Sequence, residues 1–451
     1  MNNIQALSLV DLSRALAVGD LVATEVVDAY LDHIAHHNES LNAVVSLDEE
    51  GARTRAVAAD KAWAEGKPVG PLHGVPLTLK DAHDVAGLRT TVGTADLDQV
   101  AEIDSTVAAR LREAGANLIG HTNVPAWLAD YQSANAIFGR TNNPWDLDRT
   151  SGGSSGGAAA AVAAELTPGD FGSDLSGSLR QPAAFCGVYS LKPTEHRVPL
   201  TGFLRTPGPR PVRVMACVGP IARSLDDLEL LISIVVGPDG YDAEVSPVPF
   251  DHRPEVSPGA LRLAVAPTLP GAPIAAVLSD TVREFAKGVS DGGGQVAEEL
   301  PDLNWRGQLE LFGDLLNTLT GSPENHGLND YLTALHQRDI LIATWDAFFQ
   351  DHDALLMPAA ATVAFPHSDG DSLDIDGQRV PYYQQGFLYA LSSLTGLPAV
   401  TIPAGLDSAG LPVGLQLVGP RWSDTTLLAI ARGLESSGIA PGYRRPPMLP
   451  A

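Results

Sequence analysis

Residues 149–194 read RTSGGSSGGAAAAVAAELTPGDFGSDLSGSLRQPAAFCGVYSLKPT. Two serines of this stretch, Ser154 and Ser178, stand 24 residues apart, and each lies among glycines and other small residues. Glycine suits tight turns because it lacks a Cβ atom, and the alanine-rich run after the first serine favours a helix. The stretch therefore predicts two glycine-rich loops linked through a helix.

The loop around Ser154 fits three interpretations. Residues 152–156 match G-x-S-x-G, the nucleophile elbow, which requires a strand before the serine and a helix after it. Residues 143–151 (NPWDLDRTS) carry a proline, two aspartates and an arginine, so no strand is expected there and the elbow is disfavoured. A phosphate-binding loop would need a Walker lysine or G-x-G-x-x-G spacing, and neither is present. A purely structural turn is the third interpretation.

A second loop and one lysine favour catalysis. Residues 172–180 (GSDLSGSLR) again surround a serine with small residues, so backbone N–H groups can converge beside Ser178 and stabilise an oxyanion. Lys80 follows the apolar run VPLTL and can activate a serine only when it is neutral, a state that burial favours. The alternative is an ordinary strand-end lysine paired with Asp81 or Asp84. The combination predicts a serine hydrolase whose base is a lysine.

Histidine provides the competing catalytic arrangement, a Ser-His-Asp triad. It would have to recruit one of four histidines in helical or loop contexts that have no partner motif. Three further histidines share one predicted helix, but they lack the cysteines or carboxylates of a metal site, so a solvated face is expected. The four are His326, His336, His352 and His367, and the helical three are His33, His36 and His37.

The composition excludes several classes of protein. The chain has 451 residues, 44% of them hydrophobic and 18% charged, as globular proteins have. A net charge of -25 without any run of Lys or Arg argues against nucleic acid as a partner. Two cysteines, Cys186 and Cys217, are too few for a disulfide scaffold. No signal peptide or membrane span is recognisable, so a cytoplasmic protein that does not contact a membrane is expected.

The order of apolar patterns predicts the fold class. From residue 71 onward, short apolar runs alternate with helical periodicity, which indicates an α/β fold with a largely buried sheet. The first sixty residues are typical of amphipathic helices, one of which Thr24 can cap. Residues 237–259 are rich in Pro and Asp and predict a long surface loop. Later strands are expected at LRLAVAP, DALLMP, AVTIPAG and PVGLQLVG.

Seven motifs together resemble the amidase signature family and extend in that family's order over most of residues 20–435. This coverage is far more specific than any single motif. The resemblance implies an α/β fold in one large domain over residues 1–451, with a central twisted mixed β-sheet covered by helices. The motifs are GVPLTLKD, FGRTNNPWD, GGSSGGAAAAVAAEL, GSDLSGSLRQPAAFCGVYSLKPT, VGPIARSLDDL, LTGLPAVTIPAG and GLPVGLQLVG.

Within that domain, four parts are expected. They are an N-terminal helical flank (1–65), the catalytic motifs (70–235), a largely helical layer (260–350) and C-terminal strands and helices that close the sheet (353–440).

The resemblance also implies a role for individual residues. Lys80 would be the base, Ser154 a bridging serine after a cis peptide bond at Gly153, and Ser178 the nucleophile that attacks an amide carbonyl. Protons would pass from Ser178 to Ser154 and from Ser154 to neutral Lys80. The implied oxyanion donors are the N–H groups of Leu175, Ser176, Gly177 and Ser178, and the supporting residues are Gly153, Ser155, Asp174 and Arg180.

Three positions depart from the family's usual pattern. Ser176 replaces the first of two glycines before the nucleophile; if that position needs a positive φ, the serine costs about 1 kcal/mol, but its N–H group survives. Ser151 and Glu165 stand where proline and glycine are usual, and both are expected to be peripheral. Asp174 and Arg180 would brace the nucleophile loop. Activity is therefore expected to be retained.

A substrate pocket is expected on the segments that lead to or from these motifs, with core packing as the alternative for each residue. Its aromatic content suggests an apolar or aromatic acyl or amine group. The expected lining is Trp127, Asp130, Tyr131, Tyr382, Tyr383 and Phe387.

The predicted function is hydrolysis of a small-molecule carboxylic acid amide to an acid and ammonia or an amine, without a cofactor or metal. One alternative is the glutaminase (A) subunit of a tRNA-dependent amidotransferase, although the Tyr-Asp-Gly-x-Arg run usual in such subunits is absent. Another is a catalytically silent scaffold. The sequence leaves a homodimer open.

Overall fold

An eight-stranded mixed β-sheet forms the centre of the molecule. The computed structural model describes residues 4–205, 214–320 and 327–449. The strand order is β10-β12-β11-β18-β19-β15-β13-β14, with β13 parallel to β14 and β15 and the other pairs antiparallel. In chain-order numbering the strands are β10 Gly169–Asp174, β11 Tyr189–Lys192, β12 Cys217–Ala222, β13 Arg262–Val265, β14 Gln295–Glu298, β15 Ala354–Pro358, β18 Ala399–Leu406 and β19 Pro412–Val418.

Helices flank this sheet, which confirms the predicted single-domain α/β fold with a mixed sheet. They are α1 Leu9–Val18, α2 Ala23–Leu41, α3 Glu49–Ala64, α4 Thr106–Glu113, α5 Gly156–Ala163, α6 Arg180–Cys186, α7 Leu225–Val235, α8 Ala276–Asp291, α9 Trp305–Thr320, α10 Leu328–Phe348, α11 Ala390–Leu394 and α12 Asp424–Ser436. None of the helices in the described ranges is long and apolar enough to cross a membrane.

A three-stranded sheet of order β1-β5-β2 carries the conspicuous lysine. Its strands are β1 Val44–Leu47, β2 Pro76–Lys80 and β5 Asn117–Thr122, and β2 runs parallel to β5. Every residue of β2 and β5 is buried, and β2 packs against β10 of the large sheet. Lys80 is the last residue of β2 and pairs in register with Thr122. The strand therefore delivers a lysine into the protein interior.

Helix α5 is buried along its whole length. Its sequence GGAAAAVA has no side chain larger than valine, and all eight residues are buried against β2, β10, β12 and α6. At Gly157 a Cβ atom would lie 2.3 Å from the backbone nitrogen of Asn123, so only glycine allows this approach. Small side chains thus let the helix and the loop before it sit at the junction of the two sheets.

Short two-stranded ribbons lie outside both sheets, and one of them corrects a prediction. Strand β9 covers the polar segment before Ser154, where no strand was expected. Its polar residues suit an exposed ribbon: Arg149 donates to Asp146, and the Asn143 amide donates to the Thr150 carbonyl. The ribbons are β3 Arg89–Thr90 with β4 Gln99–Val100, β6 Ala134–Asn135 with β7 Gly139–Arg140, β8 Asn142–Asn143 with β9 Asp146–Thr150, and β16 Ser372–Ile375 with β17 Gln378–Pro381.

The N-terminal flank contains the helices α1 to α3, together with the strand β1 that sequence patterns missed. The prediction that Thr24 caps a helix is wrong, because Thr24 lies inside α2 and the cap position is Val22. The carboxylate of Asp60 accepts from the N–H groups of Ala23 and Thr24 and from the Thr24 hydroxyl instead. The cap comes from a neighbouring helix, which local sequence does not reveal.

Candidate active site

Three serine hydroxyls surround the amine of Lys80. The Nζ atom lies 2.7 Å from Ser154 Oγ, 2.8 Å from Ser155 Oγ and 2.9 Å from Ser173 Oγ. The lysine has no exposed surface. Burial lowers the pKa of Lys80 to about 7, although the carboxylates of Asp174 and Asp170 act to raise it. A neutral amine is therefore accessible near neutral pH, and the alternative of a lysine paired with Asp81 or Asp84 is wrong.

The loop that carries Ser154 is held closely by its surroundings. The peptide bond between Gly153 and Ser154 is cis. A Cβ atom on Gly153 would lie 2.5 Å from the Asp130 carbonyl oxygen, so the segment that begins at Asp130 packs directly on this loop. The Gly153 N–H group donates to Gln181 Oε1, and the Gln181 amide donates to Gln385.

Ser155 joins the two serine loops. Its hydroxyl donates to the Ser173 carbonyl and accepts from the Ser173 N–H group, both at 3.3 Å. Its own N–H group donates to the Ser178 carbonyl at 3.2 Å. Both predicted loops therefore meet at one site, with Lys80 between Ser154 and Ser173.

A buried ion pair braces the loop around Ser178. Asp174 accepts from Arg180 through Nε at 2.9 Å and Nη2 at 2.7 Å, and from the N–H groups of Gly177 and Leu179. Burial alone would raise the pKa of Asp174, but Arg180 outweighs it and lowers the pKa to about 2. Arg180 also donates to Ser392 and Ser393. The carboxylate therefore stays ionised and fixes the loop from below.

This brace corrects the predicted set of oxyanion donors. The Gly177 N–H group already donates to Asp174 at 2.8 Å, so it is not free to receive an oxyanion. The N–H groups of Leu175, Ser176 and Ser178 have no acceptor in the described part of the chain. Gly177 has instead a conformational role, because its φ is +91° and a Cβ atom there would meet the Tyr389 ring at 2.3 Å.

Ser178 lies on the accessible face of this loop. It is partly exposed, as are Leu175 and Ser176, whereas Asp174 and Arg180 are buried. Within the described residues its hydroxyl makes no hydrogen bond, and none joins it to Ser154. Catalytic hydrogen bonds are often formed only in the substrate complex. The geometry thus brings Lys80 and Ser154 into contact and leaves Ser178 open beside them.

Ser176 does not incur the expected backbone cost. It is not among the described residues with positive φ, so no glycine is needed at this position. Its hydroxyl is hydrogen-bonded to Tyr131 Oη at 2.7 Å. Gly386 makes room for this contact, because a Cβ atom there would lie 2.3 Å from the same Tyr131 oxygen. The substitution therefore ties the nucleophile loop to an aromatic neighbour.

Four of the six predicted pocket residues form one cluster beside that contact. The ring of Tyr131 lies 6.2 Å from Tyr382 and 6.3 Å from Tyr383, and Tyr382 Oη donates to Asp130 at 2.6 Å. Trp127 is 45% exposed and Phe387 is partly buried, and no ring contact among the described residues joins either to the cluster. The structure therefore assembles Asp130, Tyr131, Tyr382 and Tyr383 but not the other two.

Histidines stay apart from the serine loops. The described candidates His336, His352 and His367 make no hydrogen bond to a serine hydroxyl; His352 contacts Glu299 instead. His326 lies outside the described residues. In the helical group, His33 contacts the Ala164 carbonyl. The described ranges contain no group of three or more His, Cys, Asp or Glu residues that could hold a metal ion.

The two peripheral departures contact other parts of the molecule, although both are buried. Glu165 has a φ of +59° and forms a two-pronged ion pair with Arg445, and the Ser151 carbonyl accepts from Cys186 Sγ. Neither Ser151 nor Glu165 hydrogen-bonds to Lys80, Ser154 or Ser178.

Sequence patterns missed Ser173, although it stands inside the quoted stretch. It supplies the third hydroxyl at Lys80 and sits one residue before Asp174 on β10. They also missed Thr78 and Asp170, which are joined by a 2.7 Å hydrogen bond behind the lysine. The signal for Thr78 was available, because residues two apart on a strand share a face and Lys80 follows it by two.

Comparison with known proteins identifies the family. Residues 25–306 and 310–428 match the model of the Amidase family. The glutamyl-tRNA(Gln) amidotransferase of Roseiflexus sp. (strain RS-1) has an A-type subunit that is 32% identical, with 100% of each chain covered. The acylamidase of Rhodococcus erythropolis is 33% identical, with 96% of each chain covered. A bacterial aryl acylamidase structure of the amidase signature family superimposes with a TM-score of 0.83 at 25% identity, again over 96% of each chain.

The chain therefore belongs to the amidase signature family. Its relatives include both acylamidases and amidotransferase subunits, so amide hydrolysis is the chemistry that they support for this chain.

Proposed function

We propose that this protein hydrolyses a small-molecule carboxylic acid amide to an acid and ammonia or an amine through an acyl-enzyme on Ser178. Ser154 relays protons and Lys80 is the base. The observation that carries the proposal is the buried amine of Lys80, which lies within 2.9 Å of three serine hydroxyls. A lysine is a base only when neutral, and burial lowers the pKa of Lys80 to about 7.

The hydrogen-bond inventory supports Ser154 as the relay. A neutral amine has two N–H donors and one lone pair, so one of the three hydroxyls around it must donate to nitrogen. The Ser155 hydroxyl already donates to the Ser173 carbonyl, which leaves Ser154 and Ser173 as candidates. Ser154 stands on the loop that adjoins Ser178 through the Ser155 N–H group, whereas Ser173 is on the buried strand β10.

Acyl transfer would then proceed in two halves. Ser154 passes its proton to Lys80 and takes the proton of Ser178, whose oxygen attacks the amide carbonyl. The oxyanion meets the N–H groups of Leu175, Ser176 and Ser178, and such donors are worth roughly 3 to 4 kcal/mol each in acyl transfer. Ser154 returns a proton to the departing nitrogen as the C–N bond breaks. Water attacks the ester by the same relay and releases the acid, with no cofactor required.

The tyrosine cluster supports an apolar or aromatic group next to the scissile amide. Tyr131 contacts Ser176, two residues before the proposed nucleophile, and Tyr382 and Tyr383 surround its ring. Tyr383 is 63% exposed and lies at the outer edge of this cluster, where a substrate would arrive. Aromatic faces favour flat or apolar groups.

A glutaminase function within a tRNA-dependent amidotransferase is the second candidate. It rests on the amidotransferase relatives, of which the Roseiflexus protein aligns over the whole chain. Ammonia release from glutamine that requires the other proteins of an amidotransferase complex would favour it over an independent amidase. Hydrolysis of aryl amides or anilides by the purified chain alone would favour the acylamidase function.

Labelling with a fluorophosphonate tests the proposed mechanism directly. The wild-type protein should be labelled, and peptide mass spectrometry should locate the adduct on Ser178. Ser178→Ala should abolish labelling, whereas the matched control Ser176→Ala keeps its backbone N–H group and should retain it. A wild-type protein without an adduct would be a catalytically silent scaffold, and an adduct on another serine would reject the assigned nucleophile.

The role of Lys80 needs a separate pair of variants. Lys80→Met should reduce the labelling rate by about 10³-fold or more, because the relay loses its base. Lys192→Met is the matched control, since Lys192 is also fully buried but donates to the Leu397 carbonyl. Equal labelling rates in both variants would contradict the assignment. A panel of aliphatic amides, aryl amides and anilides, assayed for ammonia or aniline, then identifies the substrate class.

A further inference from the structure

A buried carboxylate lies beside the side chain of Lys80, on the opposite side from the serines' loops. Asp170 Oδ2 accepts from Thr78 Oγ1 at 2.7 Å and from Thr122 Oγ1 at 3.1 Å. Thr78 precedes Lys80 by two residues on β2 and so shares its face, and Thr122 is the register partner of Lys80 on β5. Asp170 therefore contacts the two side chains that flank the lysine.

This carboxylate is incompletely neutralised. Asp170 is 1% exposed, and its Oδ1 atom is buried without a hydrogen-bond partner in the described ranges. Its hydrogen bonds come from two neutral hydroxyls, and the amine of Lys80 donates to serines rather than to this carboxylate. In a medium that screens charge poorly, a carboxylate at this position acts on the lysine through space.

The elements packed around Asp170 contribute few other charges. Lys80 lies on β2, with Asp81 and His83 just beyond it, His121 lies on β5, Asp174 follows on β10, and Arg223 follows β12. Burial lowers the pKa of His83 to about 3, so this ring is neutral over the working range.

Three of these groups are engaged elsewhere. Asp81 accepts from the Thr91 N–H and hydroxyl, Arg223 donates to the carbonyls of Val162 and Thr167, and Asp174 is paired with Arg180. His121 faces Asp81 at 3.7 Å. Burial raises the pKa of Asp170 to about 7, although Lys80 acts to lower it. Asp170 and Lys80 are thus the pair whose charges change together near neutrality.

We propose that Asp170 is a positioning residue for the base of the proposed amidase: its negative charge retains a proton on Lys80 and thereby sets the lowest pH at which the lysine is neutral. This inference rests on the proposed function of Lys80. It makes a counterintuitive prediction, because loss of the carboxylate should extend activity to more acidic conditions.

The test is the pH profile of fluorophosphonate labelling at Ser178. Asp170→Asn should move the acid limb of the labelling rate down by about one pH unit or more, so that below the limb the variant labels up to about tenfold faster than wild type. The matched control is Asp227→Asn, since Asp227 is also buried with one unpartnered oxygen but accepts from the Val10 N–H group. Its profile should overlay the wild-type profile.

A purely structural role gives a different result. An Asp170→Asn rate that falls evenly at every pH with the limb unmoved would overturn the inference, as would an equal shift in Asp227→Asn. In either case labelling of wild-type Ser178 would still support the proposed function. Absence of wild-type labelling at every pH would overturn both.

A second variant keeps the test decisive should Asp170→Asn fail to fold. Thr122→Val removes one donor to Asp170, which disfavours the ionised carboxylate, and should move the limb in the same direction by a smaller amount. Thr401→Val is its control, because Thr401 Oγ1 is buried without a partner among the described residues. A limb that is unmoved by Thr122→Val, or moved equally by Thr401→Val, would contradict the proposal.

Discussion

Strand β10 carries two buried aspartates, four residues apart, in opposite electrostatic situations. At its C-terminal end, Asp174 accepts two hydrogen bonds from the Arg180 side chain and further bonds from the backbone of the nucleophile loop. Toward its start, Asp170 accepts from two threonine hydroxyls and leaves one oxygen without a partner among the described residues. Burial is the same for both, so the counter-charge alone separates a structural brace from an adjustable charge.

The two carboxylates consequently differ in the direction of their pKa shifts. Burial would raise both, but Arg180 lowers the pKa of Asp174 to about 2, whereas the pKa of Asp170 is raised to about 7. Near neutral pH the first has a fixed charge and the second a variable one. The strand thus holds the loop of Ser178 rigid at one end and influences Lys80 at the other.

Removing the charge of Asp174 should have the largest effect. Asp174→Asn keeps the shape but leaves the Arg180 guanidinium buried without a counter-charge, which should reduce the free energy of unfolding by about 3 to 5 kcal/mol. Urea denaturation measures this loss. Asp407→Asn is the control, because Asp407 accepts from the N–H groups of Ala409 and Leu411 rather than from an arginine. Equal losses in the two variants would contradict the counter-charge explanation.

The pH dependence of stability should separate the two aspartates next. Between pH 4 and 7 folded Asp170 holds a proton that the unfolded chain has released, so its contribution falls as pH rises, by up to about 1.4 kcal/mol per pH unit. Asp174 contributes stability above about pH 4 and loses it as pH falls toward 2. We expect the stability difference between wild type and Asp170→Asn to decrease from pH 4 to 7. A constant difference in urea denaturation would show that Asp170 does not titrate there.

Weakening the brace without removing its charge should have an intermediate effect. Arg180→Lys keeps a cation but loses the fork that reaches both oxygens of Asp174, so a loss of about 1 to 2 kcal/mol is expected. Thermal and urea unfolding would measure it. A loss as large as that of Asp174→Asn would mean that geometry, rather than charge, dominates the brace.

The contact above the brace should matter least. Ser176→Gly removes the hydrogen bond to Tyr131, and because Asp174 still holds the loop, stability should change by about 1 kcal/mol or less. Tyr131→Phe removes the same bond from the other side. If the contact acts alone, the double variant should cost no more than one single variant, and unfolding of all four proteins checks this. Strictly additive losses would mean that each residue acts through other contacts.

Local sequence was sufficient for the parts of the site that repeat a local pattern. The apolar strand that ends at Lys80 and the small-residue loops at Ser154 and Ser178 were recognisable because alternation and glycine content are properties of neighbouring residues. The cap of α2 by Asp60 and the bond between Ser176 and Tyr131 were not, because they join residues 36 to 45 positions apart. The occupied N–H group of Gly177 depends on how Asp174 turns toward its own loop.

The polar β9 shows the opposite failure. Its aspartates and arginine argue against a strand by composition, yet pairing with β8 and the bond from Arg149 to Asp146 satisfy them on an exposed ribbon. Strand propensity reflects packing context more than composition. The nucleophile elbow was rejected partly for a reason that the structure does not support, although Lys80 and Ser154 still meet as the resemblance implied.

The tight packing of helix α5 has a practical consequence for protein engineering. Every side chain from Gly156 to Ala163 is buried, and even one added carbon at Gly157 would clash with Asn123. Random libraries that include this helix would consist mostly of misfolded clones, because overpacking a dense interior is destabilising. Directed evolution of substrate preference would therefore gain more from diversifying exposed Tyr383 and its surroundings, and leaving the helix constant would keep most of each library folded.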